Sequence, residues 1–184
     1  MVNAAALHVV HHPDPILRVK ASPVGEITDE VRAVARRMIQ LMAIEEGIGL
    51  AAPQVGLSWR LFVAHVPEDV EEGRSASATP PTATLAPIVY INPELSGFEG
   101  PAEPFSEGCL SLPDIRGSVL RTPIVSITAT DLDGKRFTQR GAGLLSRCWQ
   151  HEIDHLDGVL IIDRMMQADR LKNRAKLRAL ERGE

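Results

Sequence analysis

The pentapeptide His151-Glu152-Ile153-Asp154-His155 constrains this chain more than any other stretch. Two histidines four residues apart return to within about 40° of each other around a helix, so both imidazoles reach one cation while Glu152 lies beside it. The motif therefore predicts a helix. It also predicts that the fold carries a further ligand to that helix, because a hydrolytic site of this kind uses three protein ligands and one open position. No histidine follows His155, and the only glutamates downstream, Glu181 and Glu184, sit in a charged tail. The missing ligand lies upstream.

The upstream candidate is Cys109, in Pro104-Phe105-Ser106-Glu107-Gly108-Cys109-Leu110-Ser111-Leu112-Pro113. With two cysteines in 184 residues a disulfide scaffold is not in view, and a lone thiol beside glycine suits a Cys-His-His tripod. Two further segments complete a pattern: Gly47-Ile48-Gly49-Leu50-Ala51-Ala52-Pro53-Gln54 and Gln150-His151-Glu152-Ile153-Asp154-His155. In these three segments the chain resembles the bacterial peptide deformylases, whose motifs are a GxGLAAxQ loop, an EGCLS segment and a QHExDH helix in that order. The resemblance spans roughly residues 8 to 166.

The resemblance implies an α+β fold in which antiparallel strands wrap around the central HExxH helix. It implies removal of the formyl group from the N-terminal N-formyl-methionine of nascent polypeptides, with release of formate. Cys109, His151 and His155 would hold one divalent ion, Fe2+ in the cell and Zn2+, Ni2+ or Co2+ in isolated protein, since the divalent affinity order favours zinc and nickel over iron. Glu152 would be the general base, with the side-chain amide of Gln54 and the backbone N–H of Leu110 as oxyanion donors. Substrate contacts would come from Ile48, Gly49, Phe105, Gly108, Arg116, Leu144, Arg147 and Cys148. Arg147 departs from the aliphatic residue that related sequences can carry there; its stem is expected to wall the pocket while its guanidinium reaches solvent.

The chemistry gives these residue types a reason. One thiolate and two neutral imidazoles leave a divalent ion with a net charge near +1, so water held there gives up a proton readily. Glu152 can take that proton and return it to the departing amine. An oxyanion donor fixed in advance is worth on the order of 3 kcal/mol of barrier. Gly47 and Gly49 would let the loop backbone come close to an extended peptide. Glu107 and Asp154 can orient the histidines or form ordinary salt bridges. Cys148, His8, His11, His12 and His65 match no ligand position of the motifs. Two other classes compete: a zincin-type peptidase, against which stand Ile161 in place of a third histidine and the presence of Cys109 and Gln54, and a non-catalytic metal or peptide-binding protein, which would have lost Glu152 or Gln54.

Elsewhere the pattern is that of scaffold. Val31, Val34, Ala35, Met38, Leu41 and Met42 recur at three- and four-residue intervals from a start near Thr28, predicting an amphipathic helix. Leu61 to Ala64, Ile88 to Ile91 and Ile124 to Ala129 read as strands, with a hairpin turn at Asp131 to Lys135. A second helix is expected from about Gly143 to Leu156. Residues 67–87, acidic and then rich in Ser, Thr, Ala and Pro, predict a mobile surface insertion that buries little. The 184 residues, 44% of them apolar, suit a single catalytic domain. A net charge of −4 exerts no global pull toward nucleic acid or membrane, and no apolar run approaches the roughly 18 residues of a span. Met1 to Val10 lacks the basic start of a secretory leader, so a monomer in the reducing cytoplasm is expected. Residues 164–184 run against the overall charge, with seven Lys/Arg and three acids; they predict a basic helix whose use is contact with the ribosome.

Overall fold

A computed structural model describes residues 2–183. Along the chain come helix α1 (Asp29–Ile44), strands β1 (Gly49–Ala51), β2 (Leu61–Ala64), β3 (Ile88–Glu99), β4 (Glu103–Cys109), β5 (Leu112–Arg121), β6 (Ile124–Thr130) and β7 (Arg136–Ala142), then helices α2 (Gly143–Leu156), α3 (Ile161–Arg164), α4 (Gln167–Lys172) and α5 (Arg174–Arg182). Five strands form one antiparallel sheet in the order β1-β2-β3-β6-β7, while β4 and β5 pair only with each other.

The large sheet is covered on both faces, and its sequence shows why. In β2, Phe62 and Ala64 point into a cluster with Tyr90, Val125, Ile127 and Trp149, whereas Leu61 and Val63 join Val34, Met38 and Met42 of α1. A strand buried on two sides has no polar face, hence the unbroken Leu-Phe-Val-Ala. Strand β6 instead alternates buried and half-buried positions, with Val125, Ile127 and Ala129 facing α2. Helix α1 begins where expected, Thr28 Oγ1 accepting from the Val31 N–H at 3.4 Å.

A third cluster lies on the other side of α2. Leu112, Ile115 and Val119 of β5 pack with Leu17, Leu160, Ile161 and Ile162, and Leu177 and Leu180 of α5 close over them. Helix α2 thus has the large sheet on one flank and the β4–β5 hairpin on another. Strand β7 runs straight into it, the reversal absorbed by Gly143 at φ +56°.

One hairpin has no counterpart in the sequence reading, and two expectations are revised. The hairpin β4–β5 has no strand signal in Glu103 to Cys109, which mixes charged, small and apolar residues without an apolar period and is mostly exposed. Residues 67–87 are tied down: the Asp69 and Arg74 backbones bond each other, Ala83 and Thr84 are buried, and Pro81 accepts from the Ala142 N–H at 2.8 Å. The tail is not one helix. It breaks at Asn173, which is buried and donates from Nδ2 to the Arg116 carbonyl at 2.7 Å and the Asp169 carbonyl at 2.9 Å. Glu184, at the end of that predicted helix, lies outside the described residues.

Candidate metal centre

Strand β4 and helix α2 meet in rungs. Successive residues on one face of a strand are two apart, and on one face of a helix about four apart. Phe105 lies under the Arg147 guanidinium, 5.0 Å from ring centroid to Cζ; Glu107 Oε2 meets His151 Nδ1 at 3.1 Å; Cys109 Sγ meets His155 Nε2 at 3.2 Å. The ligand candidates are the last rungs of this seam. His151 Nε2 lies 3.1 Å from His155 Nε2, and the ligand atoms of Cys109, His151 and His155 all fall within 4.8 Å of one another. A soft thiol and two imidazoles converging this tightly fit a divalent ion with tetrahedral or similar preferences.

Behind the ligands stands a chain of charges, buried from Glu107 to Asp154 and ending at exposed Arg164. Glu107 receives both Nε and Nη2 of Arg121 at 2.9 Å, Arg121 Nη1 reaches Asp154 Oδ2 at 2.6 Å, and Asp154 Oδ1 takes Arg164 Nη2 at 2.9 Å. Burial alone would raise the Glu107 carboxyl, but the hydrogen bonds from His151 and Arg121, with their charges, outweigh it and hold it at about 2. An ionised Glu107 fixes the His151 proton on Nδ1 and turns Nε2 toward the other ligands. Burial likewise favours the neutral form of both imidazoles. At His155 it prevails, helped by the charges of His151 and Arg121. At His151 the hydrogen bonds to Cys109 and Glu107 win, and the ring is held well above its ordinary value.

Glu152 is almost fully enclosed, and its Oε2 has no hydrogen-bond partner among the described residues. Burial pushes its carboxyl up to about 7, against the pull of His151. Gly49 explains how it fits: a Cβ there would stand 2.2 Å from Glu152 Oε1 and 3.0 Å from Cys148 Sγ. At Gly47 a Cβ would sit 2.9 Å from Leu110 Cδ1. On the side where a Cβ would stand, protein atoms fill the space these glycines leave.

Gln54 is oriented by the backbone three residues before it. Its Oε1 accepts from the Ala51 N–H at 2.8 Å, so Nε2 faces Ser111 Oγ at 3.3 Å and Cys109 Sγ at 3.6 Å. Leu110 occupies the turn after β4, half-buried under Gly47. The Ile48 carbonyl accepts from the His65 N–H at 2.8 Å and from the Cys148 thiol at 3.4 Å. Burial raises Cys148 well above the ordinary thiol range, so it stays protonated. Leu144 packs half-buried against the first cluster, and exposed Arg116 lies along Gly108, donating to the Ser106 carbonyl at 3.4 Å.

The structure corrects one side chain outright. Arg147 does not reach solvent: the residue is 7% exposed, Nη2 donates to the Glu103 carbonyl at 3.1 Å, and Nη1 is enclosed without a partner. The register places Phe105 and the Glu103 carbonyl opposite it, so it clasps β4 to α2. Sequence reasoning missed Arg121 altogether and gave Ser111, quoted within the EGCLS segment, no role of its own. Nothing local marks Arg121, whose importance comes from facing Glu107 and Asp154 across two elements.

A carboxylate kept basic beside a three-ligand cluster is built for hydrolysis, and the class of the protein is that of a metal-dependent hydrolase. The profile of the polypeptide deformylase family matches residues 6–171. The peptide deformylase of Acidobacterium capsulatum is 44% identical over 174 residues, covering 95% of each chain. Among solved structures, peptide deformylase from Ehrlichia chaffeensis superposes with a TM-score of 0.85 at 29% identity, covering 96% of this chain and 97% of that one. The Legionella pneumophila enzyme gives 0.80 at 35% identity and covers 96% of each. The chain belongs to the polypeptide deformylase family, metal-dependent hydrolases that remove the N-formyl group from nascent peptides. No helix among the described residues is long and apolar enough to cross a membrane.

Proposed function

We propose that Cys109, His151 and His155 hold the divalent ion of this hydrolase and that Glu152 is its general base. The observation that carries the reading is the convergence of three ligand atoms within 4.8 Å beside an enclosed, unpartnered Glu152 oxygen. When bound, the ion supplies Lewis acidity, which makes water a stronger acid and a formyl carbonyl a better electrophile. Glu152 takes a proton from the water that attacks the formyl carbon. As negative charge builds on the carbonyl oxygen, Gln54 Nε2 and the Leu110 N–H donate to it. Glu152 then delivers the proton to the amine nitrogen as the C–N bond breaks, so that water and formamide become formate and a free amine.

Ile48, Gly49, Phe105, Gly108, Leu144, Arg147 and Cys148 line the approach to these groups, and Arg116 is placed to meet the peptide backbone. The substrate is an N-formyl-methionyl peptide. Fe2+ is the ion in the cell, and Zn2+, Ni2+ or Co2+ enters isolated protein, following donor softness and the affinity order. The protein works as a single-domain cytoplasmic monomer, and its basic tail suits contact with ribosomal RNA where formylated chains emerge. The test is to incubate anaerobically prepared, iron-loaded protein with formyl-Met-Ala-Ser and follow formate release alongside internal peptide cleavage. Formate without internal cleavage is expected; internal cleavage as the main product refutes the assignment.

A further inference from the structure

The last residue of β4 and the two-residue turn into β5 each bring something different to the metal centre. Cys109 brings a thiol, Leu110 a backbone N–H, and Ser111 a hydroxyl. Ser111 is fully enclosed, and its Oγ stands 3.3 Å from Gln54 Nε2, the sole hydrogen-bond partner of that hydroxyl among the described residues. Gln54 is buried as well. The backbone holds the two together: the Val10 N–H donates to the Gln54 carbonyl at 2.8 Å and the His12 N–H to the Ser111 carbonyl at 2.9 Å. One short stretch of the N-terminal segment thus ties the Gln54 loop to the turn after β4.

A glutamine amide carries two N–H donors and one carbonyl oxygen in one plane, and the torsion that turns this plane has no sharp preference of its own. Its direction is set by its partners. In Gln54 the oxygen is held by the Ala51 N–H at 2.8 Å, and Ser111 Oγ accepts one of the two N–H groups. Held at both edges, the amide keeps its second N–H for the side on which Cys109 Sγ lies, 3.6 Å from Nε2. That is the side of the ligand cluster, where a carbonyl oxygen would gain charge during the reaction.

We propose that Ser111 is a positioning residue for the oxyanion: its hydroxyl aims the Gln54 amide at the carbonyl oxygen of the substrate. The turn after β4 then supplies one donor directly, the Leu110 N–H, and orients the other through the neighbouring side chain. This rests on the reading of Gln54 and Leu110 as the oxyanion donors; the two-edged hold on the amide stands apart from it. A hydroxyl that merely filled space would share the burial of Ser111 but have no coupling to Gln54 in the rate.

The experiment is a double-mutant cycle on the metal-loaded enzyme: parent, Ser111→Ala, Gln54→Ala and the double variant, with kcat per bound metal and KM measured on formyl-Met-Ala-Ser. Alanine at 111 removes the hydroxyl and leaves the backbone bond from His12 in place. Gln54→Ala should lower kcat by on the order of 10²–10³. Ser111→Ala should lower kcat about tenfold with KM within about twofold, because a misaimed donor fails the charge that develops only in the transition state. In the Gln54→Ala background the same change should alter kcat by less than about twofold, since no amide is left to aim. An equal factor in both backgrounds would mean a general structural role and overturn the proposal, as would loss of bound metal in Ser111→Ala, which would assign the hydroxyl to the ligands. Parent-like kcat in Ser111→Ala beside a collapse in Gln54→Ala refutes the positioning role and keeps Gln54 as a donor. Parent-like kcat in Gln54→Ala removes the oxyanion reading and the proposal with it.

Discussion

The seam between β4 and α2 and the tail from α4 to α5 are both rich in charge, and they use it in opposite ways. In the seam Glu107, Arg121 and Asp154 are buried, and each finds its partners within 3 Å. In the tail Arg170, Arg174 and Arg178 are exposed. A buried pair broken on one side leaves a stranded charge and costs about 3–5 kcal/mol, while an exposed pair is worth about 0–1 kcal/mol. Burial therefore converts charge into position, and exposure leaves it free to act on something outside the molecule.

The sharpest test of that division is Glu152→Gln. Shape is kept and the base is removed, so turnover should fall by about 10²–10⁴ while bound metal stays. Rate and metal content are measured on one preparation, and a variant within about tenfold of the parent ends the assignment. Next comes the contrast between the two cysteines. Cys109→Ala should lower metal affinity by more than about 100-fold, beyond what losing an outer hydrogen bond does, and Cys148→Ala should leave it nearly unchanged. Equal losses, seen by competition with a chelator, would mean the third ligand lies elsewhere.

Glu107→Gln tests whether the seam positions the ligands or only glues elements together. Metal affinity should fall about 10–100-fold with the catalytic carboxylate untouched. Its pH signature has a definite sign. The folded carboxyl, at about 2, lies below its ordinary 4.5. Its stabilising contribution is therefore complete above pH 4.5 and disappears as pH falls toward 2, by on the order of 3 kcal/mol. Urea unfolding of metal-stripped parent and variant across that window should show the parent losing this increment and the variant not. The smallest effects belong to the tail. Asn173→Ala should cost about 1–2 kcal/mol through its lost bond to the Arg116 carbonyl, whereas Arg178→Ala should change thermal stability by less than about 0.5 kcal/mol. Truncation at Lys172 mixes the two, because it removes the Asn173 anchor along with the charge.

The same division explains what could be read from sequence. Cys109, His151, His155 and Glu152 are legible because their chemistry admits few residue types, and the two long helices because a buried face repeats every three to four residues. Strand β4 is not legible, since its face toward α2 carries Phe105, Glu107 and Cys109, a mixture with no apolar period. Arg121 looks ordinary in sequence, and Arg147 looked like a solvent-reaching arginine, because the partner of each is set by register between distant elements. Gly49 reads in sequence as a place of close approach, and the atoms a Cβ there would meet belong to Glu152 and Cys148.

The rungs also limit where such a chain can lengthen. Two strand residues advance about 6.8 Å and four helix residues about 6.0 Å, so matched pairs drift apart by nearly 1 Å per step. One residue inserted between Phe105 and Cys109 would turn the thiol to the opposite face of β4, and one inserted between His151 and His155 would swing an imidazole by about 100°. Growth in length is compatible with chemistry only away from this register. Residues 67–87 lie in such a place, joining β2 to β3 without entering the seam, which is where a lineage or an engineer could add sequence and keep the enzyme.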